Sequence, residues 1–175
     1  MEQRSFSLIF NNTPFFIIAC AAFLLLSGCA HRSSDSAGGH LYGPTYKERS
    51  ISEVSQSIMT SAKNLKGVRY RNGGDSPETG FDCSGYVCWV YNENGISLPR
   101  TAREQSRVGR AVNKKDLQPG DIVAFRIRSR TGYHTGIYTG NGNFIHSPSS
   151  GKRVSESSMN SAYWRKRFIG ARRVL

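Results

Sequence analysis

The stretch GFDCSGYVCWVY, residues 80–91, opens like a tight turn and closes like a buried helix. Glycines flank the Phe-Asp-Cys-Ser segment, and behind it Val87, Trp89, Val90 and Tyr91 form an apolar run that stops at NENG, residues 92–95. Gly95 there suits a helix C-terminal cap. Asp82 therefore stands at the N-cap and Cys83 in the first turn. At that position the positive end of the helix dipole and unpaired backbone N–H groups favour the thiolate, so the thiol pKa is expected to fall below its ordinary value of about 8.5. The same N–H groups are placed to hold an oxyanion. Cys88 is about 140° further round the helix at 3.6 residues per turn, so a disulfide with Cys83 is geometrically poor. Flanked by Val87 and Trp89, Cys88 reads as a small buried hydrophobe.

Toward the N-terminus, Val54, Ile58, Ala62 and Leu65 fall at intervals of four, four and three, the stripe of an amphipathic helix from about Ser52 to Lys66. Before it, residues 31–49 (HRSSDSAGGHLYGPTYKER) are rich in Ser and Gly and lack an apolar period, as a flexible tether does. Residues 1–28 combine Arg4, the apolar run from Phe15 to Leu26 and small residues after it. That is the pattern of a secretory signal, and the run falls short of the roughly 20 residues that span a bilayer. LSGC, Leu26 to Cys29, resembles a bacterial lipobox, which implies a diacylglycerol on Cys29 as the first residue of the processed chain. By the same resemblance to Gram-negative lipoproteins, Ala30 favours the outer membrane. The expected organisation is a signal peptide over 1–28, a lipidated tether over 29–49 and one folded domain over 50–175. Cys20 then leaves with the signal and Cys29 is consumed, so Cys83 and Cys88 are the cysteines of the folded body. A free thiol kept in an oxidising compartment usually has a use.

Toward the C-terminus, Thr101 with Glu104 three residues on is a capping box that starts a short helix to about Val108. Beyond the Pro119-Gly120 turn come short runs of strand formers: DIVAFRIR from Asp121, YHTGIYTG from Tyr133, GNFIHS from Gly142, RVSES from Arg153 and FIGARRVL from Phe168. Helices followed by a strand meander indicate an α+β fold with an antiparallel sheet packed against the helices.

Of the four histidines, His31 and His40 fall in the tether, leaving His134 and His146 in the folded body. YTGNGNF joins their strands as a hairpin. If opposed residues sum to 280 or 282 the two histidines share a face; an even-length loop puts them on opposite faces. The net charge of +12 lies wholly outside the signal, where Glu2 and Arg4 cancel. It favours a polyanionic neighbour such as cell-wall carboxylates or anionic lipid, and the export signal argues against nucleic acid.

From about Gly67 onward the chain resembles the NlpC/P60 family of papain-like cysteine hydrolases of peptidoglycan peptides. The matching pieces are GVRYRNGG, GFDCSGYV, LPRTAREQ, LQPGDIVAF, HTGIYTGNGNFIHSP and YWRKRFIGARRVL, in the family's order. The resemblance implies Cys83 as nucleophile, His134 as general base and His146 as the polar residue that orients it. It implies an active-site hydroxyl on Tyr70, and a role for Asp82 and Ser84 in binding the free amine of a substrate peptide. It implies no cofactor and no metal, and the chain is read as a monomer. Asn72 and Thr135 depart from the family pattern, the latter where an apolar residue commonly follows the histidine. The expected activity is hydrolysis of an amide bond in peptidoglycan stem peptides or cross-links. The alternatives are a non-catalytic wall-binding lipoprotein, a zinc site on Cys83, His134 and His146, or an amidase or acyltransferase on the same fold.

Overall fold

The computed structural model describes residues 49–127, 132–149 and 151–175. The signal segment, the lipidation site at Cys29, and the tether up to residue 48 with His31 and His40 lie outside the described residues.

The first helix, α1 (Ile51–Asn64), is closed at its start by a capping box: Ser50 Oγ accepts from the Glu53 N–H and the Glu53 carboxylate accepts from the Ser50 N–H. A two-residue hairpin, β1 (Asp75–Ser76) and β2 (Gly80–Phe81), leads into α2 (Cys83–Asn92). Then follow α3 (Ala102–Gln105) and the strands β3 (Arg110–Val112), β4 (Ile122–Arg126), β5 (Tyr133–Gly140), β6 (Asn143–His146) and β7 (Ser155–Ser158). The short α4 (Ala162–Arg165) and β8 (Phe168–Arg173) end the chain. Strands β3 to β8 make one antiparallel sheet in the order β3-β8-β4-β5-β6-β7.

Alternation along the strands divides the core between the two faces of this sheet. Ile122, Ile137 and Ile145 pack with Ile58, Ala62, Phe81, Tyr86, Val87, Val90 and Tyr91 of the helical side. Val123, Phe125 and Phe144 pack on the other face with Met159 and Ala171, covered by Trp164. Tyr86 and Tyr91 are fully buried and place their hydroxyls well: Tyr86 donates to the Ala62 carbonyl at 3.0 Å, fixing α2 on α1, and Tyr91 donates to the Gly120 carbonyl. These contacts hold the N-terminus of α2 near the start of β5, and the site forms there.

The α+β architecture and the antiparallel sheet are as the sequence indicates, with two differences. The helix after Thr101 stops at Gln105 instead of Val108, because the chain must turn at Gly109 to reach the sheet. Gly109 has φ +62, and a Cβ there would lie 2.3 Å from the Arg173 carbonyl oxygen. The strands are not a simple meander: β8 returns to lie beside β4 and carries β3 on its outer side. Arg110-Ala111-Val112 is too short for alternation to betray it as an edge strand.

Candidate active site

Cys83 is the first residue of α2, and Asp82 is its N-cap. The Asp82 Oδ1 accepts from the Gly85 N–H at 2.7 Å and from the Ser84 hydroxyl at 3.1 Å. Arg100 grips the same carboxylate with two nitrogens, Nη1 to Oδ1 at 3.0 Å and Nη2 to Oδ2 at 2.9 Å, and also reaches the Ser84 hydroxyl and the Gly74 carbonyl. Burial alone would raise the Asp82 pKa, but the hydrogen bonds from Arg100 and the Gly85 N–H, with the Arg100 charge, outweigh it and hold the carboxyl below its ordinary value.

The thiol departs from expectation. Burial pushes the Cys83 pKa up, and the negative charge of Asp82 adds to this. The backbone N–H groups of Thr135, Ser84 and Cys83 itself draw it back without reversing the shift. The helix-start effect is therefore present but smaller than the cost of holding a thiolate in a half-buried position. Cys83 rests as a thiol beside the backbone of β5.

His134 stands one residue before the Thr135 N–H that reaches the sulfur. The hairpin register resolves the open parity: Ile137 opposes Ile145 and Tyr138 opposes Phe144, so opposed residues sum to 282 and the histidines share a face. His134 Nε2 lies 2.7 Å from His146 Nδ1, and His146 Nε2 lies 3.0 Å from the Ser157 hydroxyl. Gly136 makes the approach possible: a Cβ there would come within 3.0 Å of His146 Cβ and 2.8 Å of both the Ile145 oxygen and the Phe144 ring. Trp164 stacks on His134 with ring centroids 5.2 Å apart and meets His146 edge-on at 5.1 Å. In this dry setting burial lowers the His134 pKa to about 4, the Asp82 charge opposing it. His146 is lowered further, by burial and then by the positive charges of His134 and Lys152. Both rings are neutral near pH 7. When His134 donates from Nε2 to His146 Nδ1, and His146 in turn donates to Ser157, the His134 Nδ1 is left as a free base.

A buried amide ties the two halves together. Gln105 Nε2 donates to the Ser84 and Pro99 carbonyls, each at 3.0 Å, and Gln105 Oε1 accepts from the Thr135 hydroxyl at 2.7 Å. The residue after Cys83 and the residue after His134 are thereby joined through one side chain. Cys88 is not the core residue the sequence suggested. It is half-buried, its sulfur lies 3.1 Å from the Pro99 carbonyl, and it accepts from Gln105. Both cysteines are free, as their helical spacing implies.

Tyr70, Asp82, Cys83, Ser84 and His134 all line one cavity of about 700 Å³. The Tyr70 hydroxyl is raised in pKa by burial and then by the charges of Cys83 and Asp82. His146 stands behind His134 and faces a second cavity. Among the described residues no three His, Cys, Asp or Glu side chains converge as a metal site. Arg100, Gln105, Gly136, Ser157 and Trp164 are contributors that the sequence reading did not single out. Arg100 and Gln105 sit within LPRTAREQ and Trp164 within YWRKRF, but the partners that give them their place at the site, Asp82, Ser84, Thr135 and His134, lie on other elements.

A family model described as NlpC/P60 family matches residues 67–173. The chain is 50% identical over 125 residues to the "Murein DD-endopeptidase MepS/Murein LD-carboxypeptidase" of Escherichia coli K12, covering 70% of this chain and 64% of that protein. The chain thus spans less than two thirds of that curated relative. It is 34% identical over 161 residues to the "Probable endopeptidase NlpC" of the same organism, covering 91% of this chain and 99% of that one. Among solved structures, an NlpC/P60 family protein from Bacillus cereus superposes with a TM-score of 0.65 at 36% identity, over 69% of this chain and 40% of that one.

Proposed function

The chain belongs to the NlpC/P60 family, and from that premise we propose that it is a cysteine peptidase that hydrolyses amide bonds in peptidoglycan stem peptides or their cross-links. The observation that carries the reading is the buried His134–His146 pair at 2.7 Å, set one residue from the backbone N–H that meets the Cys83 sulfur. Relatives named as murein endopeptidases support the substrate class.

In this reading Cys83 Sγ attacks the scissile carbonyl while its proton passes to His134 Nδ1. The negative oxygen of the tetrahedral intermediate is held by backbone N–H groups at the start of α2. As the C–N bond breaks, His134 returns the proton to the leaving amine, and the acyl half remains as a thioester on Cys83. His134 then takes a proton from water, which attacks the thioester and releases the new carboxylic acid and the thiol. His146 and Ser157 fix the base-competent tautomer and stabilise the transient imidazolium. A low His134 pKa keeps the base unprotonated at neutral pH, so general-base activation of a thiol serves here instead of a standing thiolate–imidazolium pair. Asp82 and Ser84, with Tyr70 in the same cavity, receive the free amine of the acyl half.

An envelope location follows from the same reading. The LSGC sequence supports lipidation of Cys29, and Ala30 after it supports an outer-membrane anchor, with residues 29–49 as spacer and 50–175 as the catalytic domain, acting as a monomer. No described helix is long and apolar enough to cross a membrane. The test is digestion of purified cross-linked peptidoglycan by the full chain and by Cys83→Ala, with products identified by mass spectrometry. New peptide fragments with the unmutated protein alone are expected; equal digestion by Cys83→Ala would overturn the proposal.

A further inference from the structure

The two active-site histidines stand in a cage of three aromatic rings. Phe125 lies 6.4 Å from His134 and Phe144 lies 4.6 Å from His146, centroid to centroid, while Trp164 meets both histidines, at 5.2 and 5.1 Å, and also touches the two phenylalanines. Phe125 and Phe144 are fully buried parts of the sheet core, whereas Trp164 is only partly buried and comes from outside the sheet, on the short α4. Backbone bonds fix both flanks of that segment: the Met159 N–H donates to the Gly142 carbonyl at 2.8 Å, and the Arg167 carbonyl accepts from the Arg126 N–H at 2.8 Å. The indole is held in place by the chain on either side of it.

Beyond Trp164 the site is open to water. The indole forms one wall of a cavity of about 480 Å³ that His134 and His146 also border, and the exposed Lys152 and Tyr163 line the same cavity. Each histidine nonetheless keeps only 1% of its surface exposed, and their 2.7 Å bond lies between two buried rings. Water admitted there would compete for His134 Nε2 and His146 Nδ1, and His134 Nδ1 would no longer be the one defined base. We propose that Trp164 is a positioning residue for the base of the reaction: its indole seals the histidine pair from the cavity, keeping water from the bond that sets the tautomer of His134. The role of His134 as base rests on the peptidase reading given above. Trp164 itself neither gives nor takes a proton.

The seal also decides how readily His134 takes a proton. Asp82, Cys83 and Tyr70 border the Cys83 cavity with His134, as do Arg100 and Arg103. His146 faces it from β6, and Lys152 and Tyr163 share the second cavity with it. Of these groups Asp82 is the one whose charge acts on His134, and it favours the imidazolium; burial opposes it and prevails. Dryness is thus the dominant influence, and Trp164 is the cage ring that borders water. An indole face attracts an imidazolium stacked on it, but less strongly than water solvates one, so removing the ring makes protonation easier.

The test follows each histidine by itself in the full chain: exchange of the imidazole C2 hydrogen for deuterium across pH, located by peptide mapping. In the unmutated protein the His134 half-point is expected near 4. In Trp164→Ala it should move up by at least about one pH unit, toward the ordinary histidine value of about 6.5. The acid limb of kcat/KM on a soluble stem peptide should move by the same interval. Trp164→Phe, which restores a ring, should stay close to the unmutated protein. Phe168→Ala removes a ring that packs on Phe125 at 5.9 Å and, among the described ring contacts, meets neither histidine, so it should lower the melting temperature and leave the half-point in place. An unmoved half-point in a cooperatively folded Trp164→Ala, or an equal shift in Phe168→Ala, would overturn the proposal; if the alanine variant fails to fold, Trp164→Leu is held to the same criterion. The exchange readout needs no turnover, so it is separate from the peptidase reading, which fails instead if cleavage is independent of Cys83.

Discussion

Thr135 donates its hydroxyl to the buried Gln105 at 2.7 Å, and through Gln105 the strand of His134 is joined to the helix of Cys83. The position following the histidine is therefore a structural joint. Thr135→Val removes the donor and leaves Gln105 Oε1 unpaired inside the protein, a loss of about 1–3 kcal/mol. Thr135→Ser restores the bond and most of the stability. Urea unfolding midpoints of the two variants check this, the valine variant unfolding at clearly lower urea.

Gly136→Ala is expected to harm activity more than stability. The added methyl must displace the Phe144 ring or the β6 backbone, both 2.8 Å away, and with them His146. Overpacking of this kind costs about 1–3 kcal/mol, while His134 loses the partner that fixes its tautomer. A fall in kcat of at least about tenfold with a still-cooperative thermal transition is expected, from the dependence of general-base catalysis on base geometry.

Acid should weaken the protein and the reaction together. An unfolded histidine takes up a proton as pH falls below about 6.5, whereas His134 in the fold resists until about 4. Over that interval the unfolded state holds more protons, so stability rises with pH, is complete above the unfolded value and is lost on acidification. The slope is about 1.4 kcal/mol per pH unit for one such group. His146 and the lowered Asp82 act in the same direction. The acid limb of kcat/KM should lie near pH 4, well below that of an ordinary histidine, and a pH–rate profile reads it directly.

Arg100→Met should raise the Cys83 thiol pKa further. The Asp82 charge already opposes the thiolate, and Arg100 is the cation that offsets it at 2.9 Å. Asp82 keeps its bond to the Gly85 N–H, so the helix start survives. Alkylation of Cys83 by iodoacetamide as a function of pH should show the inflection moved to higher pH, with far smaller change for Arg103→Met at an exposed position nearby.

Much of this was legible because it is local. Asp82 as N-cap and Cys83 as first helical residue follow from a glycine-bounded turn before an apolar run, and the structure has that cap. The hairpin between the histidines was also readable, but its parity was not. That depended on a bulge between Tyr138 and Gly140, with Asn141 at φ +51, which no count of loop residues settles. The direction of the Cys83 shift was missed because the dipole and N–H groups are visible in the sequence, whereas the burial of the thiol is a tertiary fact. Gln105, Trp164 and Ser157 escaped for the same reason. Each is unremarkable in its own segment and acquires meaning from contact with a residue at least 11 positions away.

The most direct measurement is to trap the thioester. The full chain is mixed with a stem peptide, quenched rapidly in acid, and examined by intact mass and peptide mapping. An adduct equal in mass to the acyl half of the peptide is expected on Cys83, absent from Cys83→Ala and strongly reduced in His134→Ala. An adduct on Cys88, or peptide cleavage at an undiminished rate by Cys83→Ala, would contradict the assignment of Cys83 as the nucleophile.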